Sequence, residues 1–313
     1  MRLLRLSETP FPLDVAATFG RSGPLVLEIG FGDGRHPAML ARAHPEWNLL
    51  GAEVSSASVW RAMRRFEREG VENVRVVRAS GAFVVRNLVP RRGLFRVYVN
   101  FPDPWPKKRH QERRLLQASF FRLLSTRLAD GGALYFTTDH AEYFTFAQEE
   151  AKRTGLFRVE VAPPPPEALA TKYALKWKEA GRPFYHAVFH KTGEAFEAFP
   201  PIERWNDVPH AILEGTIPAP ETFRKMVHRF PGGTAVLLEA ARRLPDGLYV
   251  FARTEEEDLA QDVLLEVRAS THGVYAGLKR FGDVIVTPGV RQAVAALVGW
   301  LEDAGLAVKK RSY

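Results

Sequence analysis

The stretch Leu27-Glu28-Ile29-Gly30-Phe31-Gly32-Asp33-Gly34 constrains this chain more than any other. A short apolar strand, Pro24 to Ile29, runs into glycines at every second position. Pro37 follows, at a place where a first helical turn tolerates a missing N–H. Strand, glycine turn and helix open a sheet of alternating strands and helices. There the backbone comes close to a ligand and helix N–H groups point at it. A dinucleotide fingerprint would read G-x-G-x-x-G. Here the spacing is G-x-G-x-G, with the acid Glu28 two residues before Gly30. A pyrophosphate should not sit beside a carboxylate, whereas a sulfonium or an ammonium can. The pattern favours S-adenosylmethionine over a dinucleotide, with Gly30, Gly32 and Gly34 at the cofactor.

The alternation continues for about 160 residues. Strands are expected over Trp47–Val54, Asn73–Ala79, Leu94–Phe101, Ala133–Asp139, Leu156–Val161 and Phe184–His190. Helices are expected from Ser55 or Ser56 to Glu69, over Glu112–Leu128 and over Ala141–Thr154. Strands separated by helices imply a parallel sheet covered on both faces. The second strand ends near Glu53, and an acid about 20 residues past the glycine turn can accept both ribose hydroxyls. Pro163 to Pro166 form a stiff extended loop. After His190 the character changes, which divides the chain into residues 1–192 and 193–313. The second part reads as a smaller α+β unit. It should hold a helix from near Pro220, strands over Gly247–Arg253 and Val263–Ser270, and a last helix over Gly289–Ala304.

Charge separates the same two parts. The whole chain of 313 residues carries +8. Residues 1–192 hold 30 Lys+Arg against 19 Asp+Glu, whereas residues 193–313 hold 14 against 17. A basic first part suits a polyanionic partner, although a solvated basic surface gives the same count. With no cysteine, thiolate zinc sites and a cysteine nucleophile are excluded. No His/Asp/Glu cluster has ligand spacing, so no metal is expected. His36, His44 and His110 read as surface or loop histidines. No apolar run approaches the ~20 residues that span a bilayer, so a cytoplasmic protein without a membrane partner is the expectation.

The fourth strand ends in Asn100-Phe101-Pro102-Asp103-Pro104-Trp105-Pro106-Lys107-Lys108-Arg109-His110. Pro104 keeps Asp103 out of the helical region and pre-orients its carboxylate. Trp105 offers a stacking face. Lys107, Lys108 and Arg109 form a cationic run that Arg113 and Arg114 extend. An acid, an aromatic ring and a basic run suit a base held beside its phosphates. A turn followed by a solvated helix start accounts equally well for any one of the basic residues.

Pro102 to Arg114, together with Leu27-Glu28-Ile29-Gly30-Phe31-Gly32, Thr137-Thr138-Asp139 and Thr171-Lys172-Tyr173 with Gly181-Arg182-Pro183, resembles the single-chain bacterial tRNA (guanine-N7-)-methyltransferases. The resemblance covers about residues 20–192. It implies a Rossmann-like class I methyltransferase fold, with a mostly parallel seven-stranded sheet, and methylation at N7 of the variable-loop guanine at tRNA position 46. By resemblance Glu28, Glu53 and Asn100 belong to the cofactor site. Asp103 lies near the methyl group as the catalytic residue, and Lys107, Arg109, Asp139, Thr171, Lys172 and Tyr173 meet the RNA. Two positions depart from the family. Ser80 stands where an acid usually faces the adenine, and Ala174 stands where a glutamate usually follows the late motif. These departures keep open a non-catalytic RNA-binding protein on the same fold. A methyltransferase with another substrate is the second alternative, and the dense basic loop argues against it.

Overall fold

The computed structural model describes residues 2–171, Ala174 and residues 183–313, without the side chain of Lys108. Lys172, Tyr173, Gly181 and Arg182 of the late motif lie outside the described residues. The chain divides into two units, Met1–Pro201 and Ile202–Tyr313.

The first unit is a doubly wound α/β sheet. Its strands are β1 Leu3–Leu4, β2 Leu25–Ile29, β3 Asn48–Ala52, β4 Val74–Val77, β5 Leu94–Asn100, β6 Leu128–Thr138, β7 Phe157–Val161 and β8 Tyr185–Lys191. They lie in the order β1-β4-β3-β2-β5-β6-β8-β7. Neighbours are parallel except where β8 runs against β6 and β7. The helices are α1 Val15–Phe19, α2 Arg35–Ala43, α3 Ser56–Arg68, α4 Gly81–Asn87, α5 Ala118–Arg127, α6 Ala141–Thr154 and α7 Pro166–Leu169. The sheet has eight strands where seven are expected. The extra one, β1, is a two-residue edge pairing Leu3 with Val76, too short to show a period in sequence.

Every residue of β2 and β3 is buried, as continuous apolar runs in a two-sided sheet require. From β2 the chain winds outward through β3 and β4. It then crosses back to β5 on the other side of β2. That reversal puts the ends of β2 and β5 side by side, Ile29 opposite Val99, and so opens a crevice at their carboxyl tips. Gly34 begins α2 with a φ of +79°. A Cβ there would stand 2.7 Å from the Ala62 Cβ on α3, so this glycine lets two helices close above the crevice.

Two expected boundaries move. Glu112–Leu128 is not one helix: a 3-10 turn covers Lys108–Arg113, and α5 starts only at Ala118. The reason lies on α6. The Leu116 N–H donates to Tyr143 Oη at 3.2 Å, and the Ala118 N–H donates to Glu150 Oε2 at 2.8 Å. These side chains cap the helix start from outside. The unit boundary falls after Pro201 rather than after Thr192. Residues 193–201 stay with the first unit because Ala195 N donates to Ser125 Oγ at 3.0 Å. Arg122 also pairs with Glu197 at 3.0 Å, and Arg127 Nη2 donates to Phe199 O at 2.6 Å.

The second unit is a seven-stranded antiparallel sheet with one long helix. Its strands are β9 His210–Glu214, β10 Met226–Phe230, β11 Gly233–Arg242, β12 Gly247–Glu256, β13 Leu259–Ser270, β14 Gly273–Leu278 and β15 Ala307–Arg311. Helix α8 is Pro288–Asp303. Val290, Ala293, Val294, Leu297, Val298 and Leu301 recur at helical spacing and are fully buried in the core they share with the sheet. The helix expected near Pro220 is only a 3-10 turn, Pro220–Thr222. The alternation of Met226 to Phe230 then makes a strand.

Candidate active site

The crevice is lined by Glu28, Gly32, His36, Asn100, Phe101 and Thr171, among others. Glu28 ends β2 with a side chain only 3% exposed. Its Oε2 lies 3.0 Å from His36 Nδ1, close enough for an ion pair, yet it makes no aligned hydrogen bond. Asn100 Nδ2 stands 3.4 Å from the same His36 nitrogen. A buried carboxylate oxygen without a hydrogen bond favours a cationic or N–H-bearing group arriving from the crevice. The charged amino and sulfonium centres of S-adenosylmethionine fit that demand, and a phosphate does not. His36 is thus no surface histidine: it is 3% exposed and part of the site. The cause is its place in the first turn of α2, directly above the β2 tip. His44 is half-buried and stacks on Trp47 at 3.6 Å. His110 stays in the loop, edge-on to Trp105.

Glu53 follows β3 and holds the glycine turn. Its Oε2 accepts from the Gly32 N–H at 3.0 Å and its Oε1 from the Ser55 N–H at 2.9 Å. Each oxygen keeps a second lone pair for a hydroxyl donor. Asp33 ties the turn to α3 through Arg65, whose Nε donates to Asp33 O at 3.0 Å. Gly30 and Gly32 have positive φ, and a Cβ on either would meet nothing within 4 Å, so open space faces this backbone. Ser80 spends its hydroxyl as the N-cap of α4, accepting from Phe83 N at 3.2 Å. Ala174 is fully buried, and its N–H donates to Thr171 Oγ1 at 3.3 Å.

The loop after β5 is held under strain. Phe101 has φ +52° and Trp105 φ +43°, a region that costs non-glycine residues about 1–3 kcal/mol each. Between them in sequence stands Asp103, which is exposed. Arg114 maintains the bend. Its side chain is 0% exposed, its Nε donates to Pro104 O at 2.8 Å, and its Nη2 pairs with Glu142 at 3.0 Å. Its guanidinium lies over the Tyr143 and Phe146 rings, at 5.2 and 4.8 Å. That hydrogen bond to Arg114 pulls the Glu142 carboxyl below its ordinary value, and burial pushes the Tyr143 hydroxyl up to about 12. Arg114 is therefore a clamp and not part of the phosphate-facing run, a correction that no local sequence signal announces. Arg113 lies over the Trp105 ring at 5.2 Å, and Lys107 and Arg109 are exposed. Asp139 follows the β6 tip, half-buried.

The structure thus gathers Glu28, Gly30, Gly32, Asn100 and Thr171 at one crevice, with Glu53 bound to the glycine turn through the Gly32 N–H and Asp103 two residues past Phe101 on the β5 loop. Among the described residues, no group of three or more His, Asp or Glu is arranged to hold a metal ion, and no helix is long and apolar enough to cross a membrane.

Comparison with known proteins agrees with this geometry. Residues 22–187 match a family model described as "Putative methyltransferase". The chain is 59% identical over 298 residues to the tRNA (guanine-N(7)-)-methyltransferase of Thermus thermophilus, covering 95% of each. It is 41% identical over 323 residues to that of Deinococcus radiodurans, covering 99% of this chain and 100% of the other. With that of Thermotoga maritima it is 36% identical over 208 residues, 66% of each.

Proposed function

The chain belongs to the tRNA (guanine-N7-)-methyltransferase family, and from that premise we propose that it moves the methyl group of S-adenosylmethionine to N7 of the variable-loop guanine at tRNA position 46. The observation that carries the reading is the buried Glu28 carboxylate at the β2 tip, one oxygen of which makes no hydrogen bond and lines the crevice under the glycine turn.

When bound, the cofactor supplies an electrophilic methyl on a sulfonium. Glu28 and the Gly30–Gly34 turn hold its cationic end, and Glu53 takes ribose hydroxyls on its remaining lone pairs. Ser80 stands at the adenine in place of the usual acid. Guanine N7 carries a free lone pair, so no proton leaves before attack, and the protein's work is alignment. The product ring is cationic and its N1–H is more acidic. Asp103 accepts from the N1 and amino edge and offsets the growing charge. Trp105 stacks on RNA, and Lys107, Arg109, Asp139 and Thr171 hold the nucleotide and its phosphates. Lys172 and Tyr173 complete that group.

Paired tRNA transcripts, with guanine or adenine at position 46, test the site. The adenine transcript should take no label from methyl-labelled cofactor. Equal labelling of both transcripts refutes position 46.

A further inference from the structure

A second basic groove lies away from the crevice, on the edge of the first unit. It encloses about 1150 Å³ and is lined by Arg2, Arg21, Arg42, Arg64 and Arg75, with Trp60 at its mouth. Two glutamates, Glu67 and Glu72, also line it; among the described residues neither carboxylate forms an ion pair with an arginine, although the Glu72 carbonyl accepts from Arg75 Nη1 at 2.9 Å. Only Arg42 meets a carboxylate, that of Glu69 outside the groove. Arg21 and Arg75 are held instead by neutral acceptors. Arg21 Nε donates to Asn48 Oδ1 at 2.9 Å, and Arg75 Nε donates to Thr18 O at 3.1 Å with its guanidinium over Phe19. Arg2 and Arg64 make no side-chain ion pair among the described residues. Burial, and after it the charges of Arg2 and Arg21, push Arg75 below the ordinary arginine value. Trp60 is 62% exposed, unusual for a large aromatic ring on a helix.

Helix α3 joins this groove to the active site. Ser58 and Arg61 of α3 line the crevice, while Trp60, Met63, Arg64 and Glu67 of the same helix line the groove. The helix is about 20 Å long, so an extended polyanion engaged at one place reaches the other.

We propose that this groove binds the sugar-phosphate backbone of the substrate tRNA away from the methylated nucleotide, with Arg64 and Arg2 on phosphates and Trp60 against an unpaired base or ribose. The inference rests on the tRNA reading above. Pre-assembled guanidiniums without carboxylate partners suit phosphodiesters bidentately, and an exposed ring beside them suits RNA over a simple anion. The groove adds affinity and register, not chemistry.

The test uses full-length protein, a tRNA transcript and S-adenosylhomocysteine. Arg64→Glu and Trp60→Ala, both on the exposed side of α3, should each lower tRNA affinity by roughly five- to tenfold at moderate salt. Arg64→Glu should also flatten the salt dependence by about one unit of slope. The kcat at saturating tRNA and the affinity for S-adenosylhomocysteine should stay within about twofold of wild type, because neither side chain lines the crevice. Unchanged tRNA affinity and slope in both variants, with wild-type methylation, overturn the groove and leave the function standing. Lost affinity in the variants, with a wild-type protein that methylates no tRNA, supports the groove and overturns the function.

Discussion

Asp103 lies between two prolines on the β5 loop, and Arg114 holds the Pro104 carbonyl, so a carboxylate set here needs little reorganisation when charge develops on a base. Asp103→Asn keeps the shape and removes the charge. Turnover should fall on the order of 10²–10³-fold while the affinity for S-adenosylhomocysteine changes little, and near wild-type turnover would remove Asp103 from the mechanism. Glu53 holds the Gly32 N–H, and its remaining lone pairs are assigned to the ribose hydroxyls. Glu53→Ala should weaken cofactor binding, measured by calorimetry, by about 2 kcal/mol or more and leave tRNA affinity nearly unchanged. A fall in tRNA affinity alone would place Glu53 elsewhere. At this scale the sequence shows Glu28, the glycines, Glu53 and Asp103 because each sits in a local pattern of strand end, turn or proline. His36 and Arg114 stay hidden for the opposite reason. His36 meets Glu28 only because the glycine turn folds α2 back over the β2 tip, and Arg114 meets Glu142, 28 residues away, so no local spacing encodes those meetings.

The β5 loop and the helices behind it behave as one element. Arg114 satisfies the Pro104 carbonyl from a buried position, so Arg114→Lys loses the fork that reaches this acceptor and Glu142 together. The expected result is a loss of kcat of roughly tenfold or more, from a loop less well placed, with cofactor affinity unchanged. Unchanged kcat would mean that the strained bend holds without its clamp. On β8, His186 Nδ1 lies 2.9 Å from Thr137 Oγ1, and burial holds this histidine below its ordinary value of 6.5. The unfolded chain therefore binds a proton that the folded chain resists. Stability falls as pH drops below about 6.5 and stops falling only beneath the lower folded value. His186→Gln should flatten the unfolding temperature across that window, and an equally steep curve in the variant would assign the acid sensitivity to other groups. Element legibility follows the same logic. Helix α6 reads directly because its cap and Gly155 bracket it. Helix α5 starts later than its sequence pattern predicts because side chains of α6, not its own sequence, decide where it begins.

The two units carry separate cores, and the methyltransferase motifs lie wholly in the first. Residues 202–313 hold 14 Lys+Arg against 15 Asp+Glu, a near-neutral balance that suits a stabilising or positioning role better than a main phosphate surface. Deleting residues 202–313 should lower the unfolding temperature and leave measurable methylation at moderate temperature. A truncated protein that stays folded, binds cofactor normally and loses tRNA affinity tenfold, about 1.4 kcal/mol, would make this unit an RNA-gripping domain instead. Residues 193–201, expected in the second part, stay with the first unit through Ser125, Arg122 and Arg127. Composition did not show that the second unit is one continuous antiparallel sheet, because alternation in β10 and β11 is masked by the proline-rich approach to them. The most direct test of the whole account is to incubate unmodified tRNA with the protein and S-adenosylmethionine, digest it, and identify the methylated nucleoside by mass spectrometry. The account predicts 7-methylguanosine from the wild type and almost none from Asp103→Asn. Methyl groups on another atom or base, or none from a wild-type protein that binds cofactor, would contradict it.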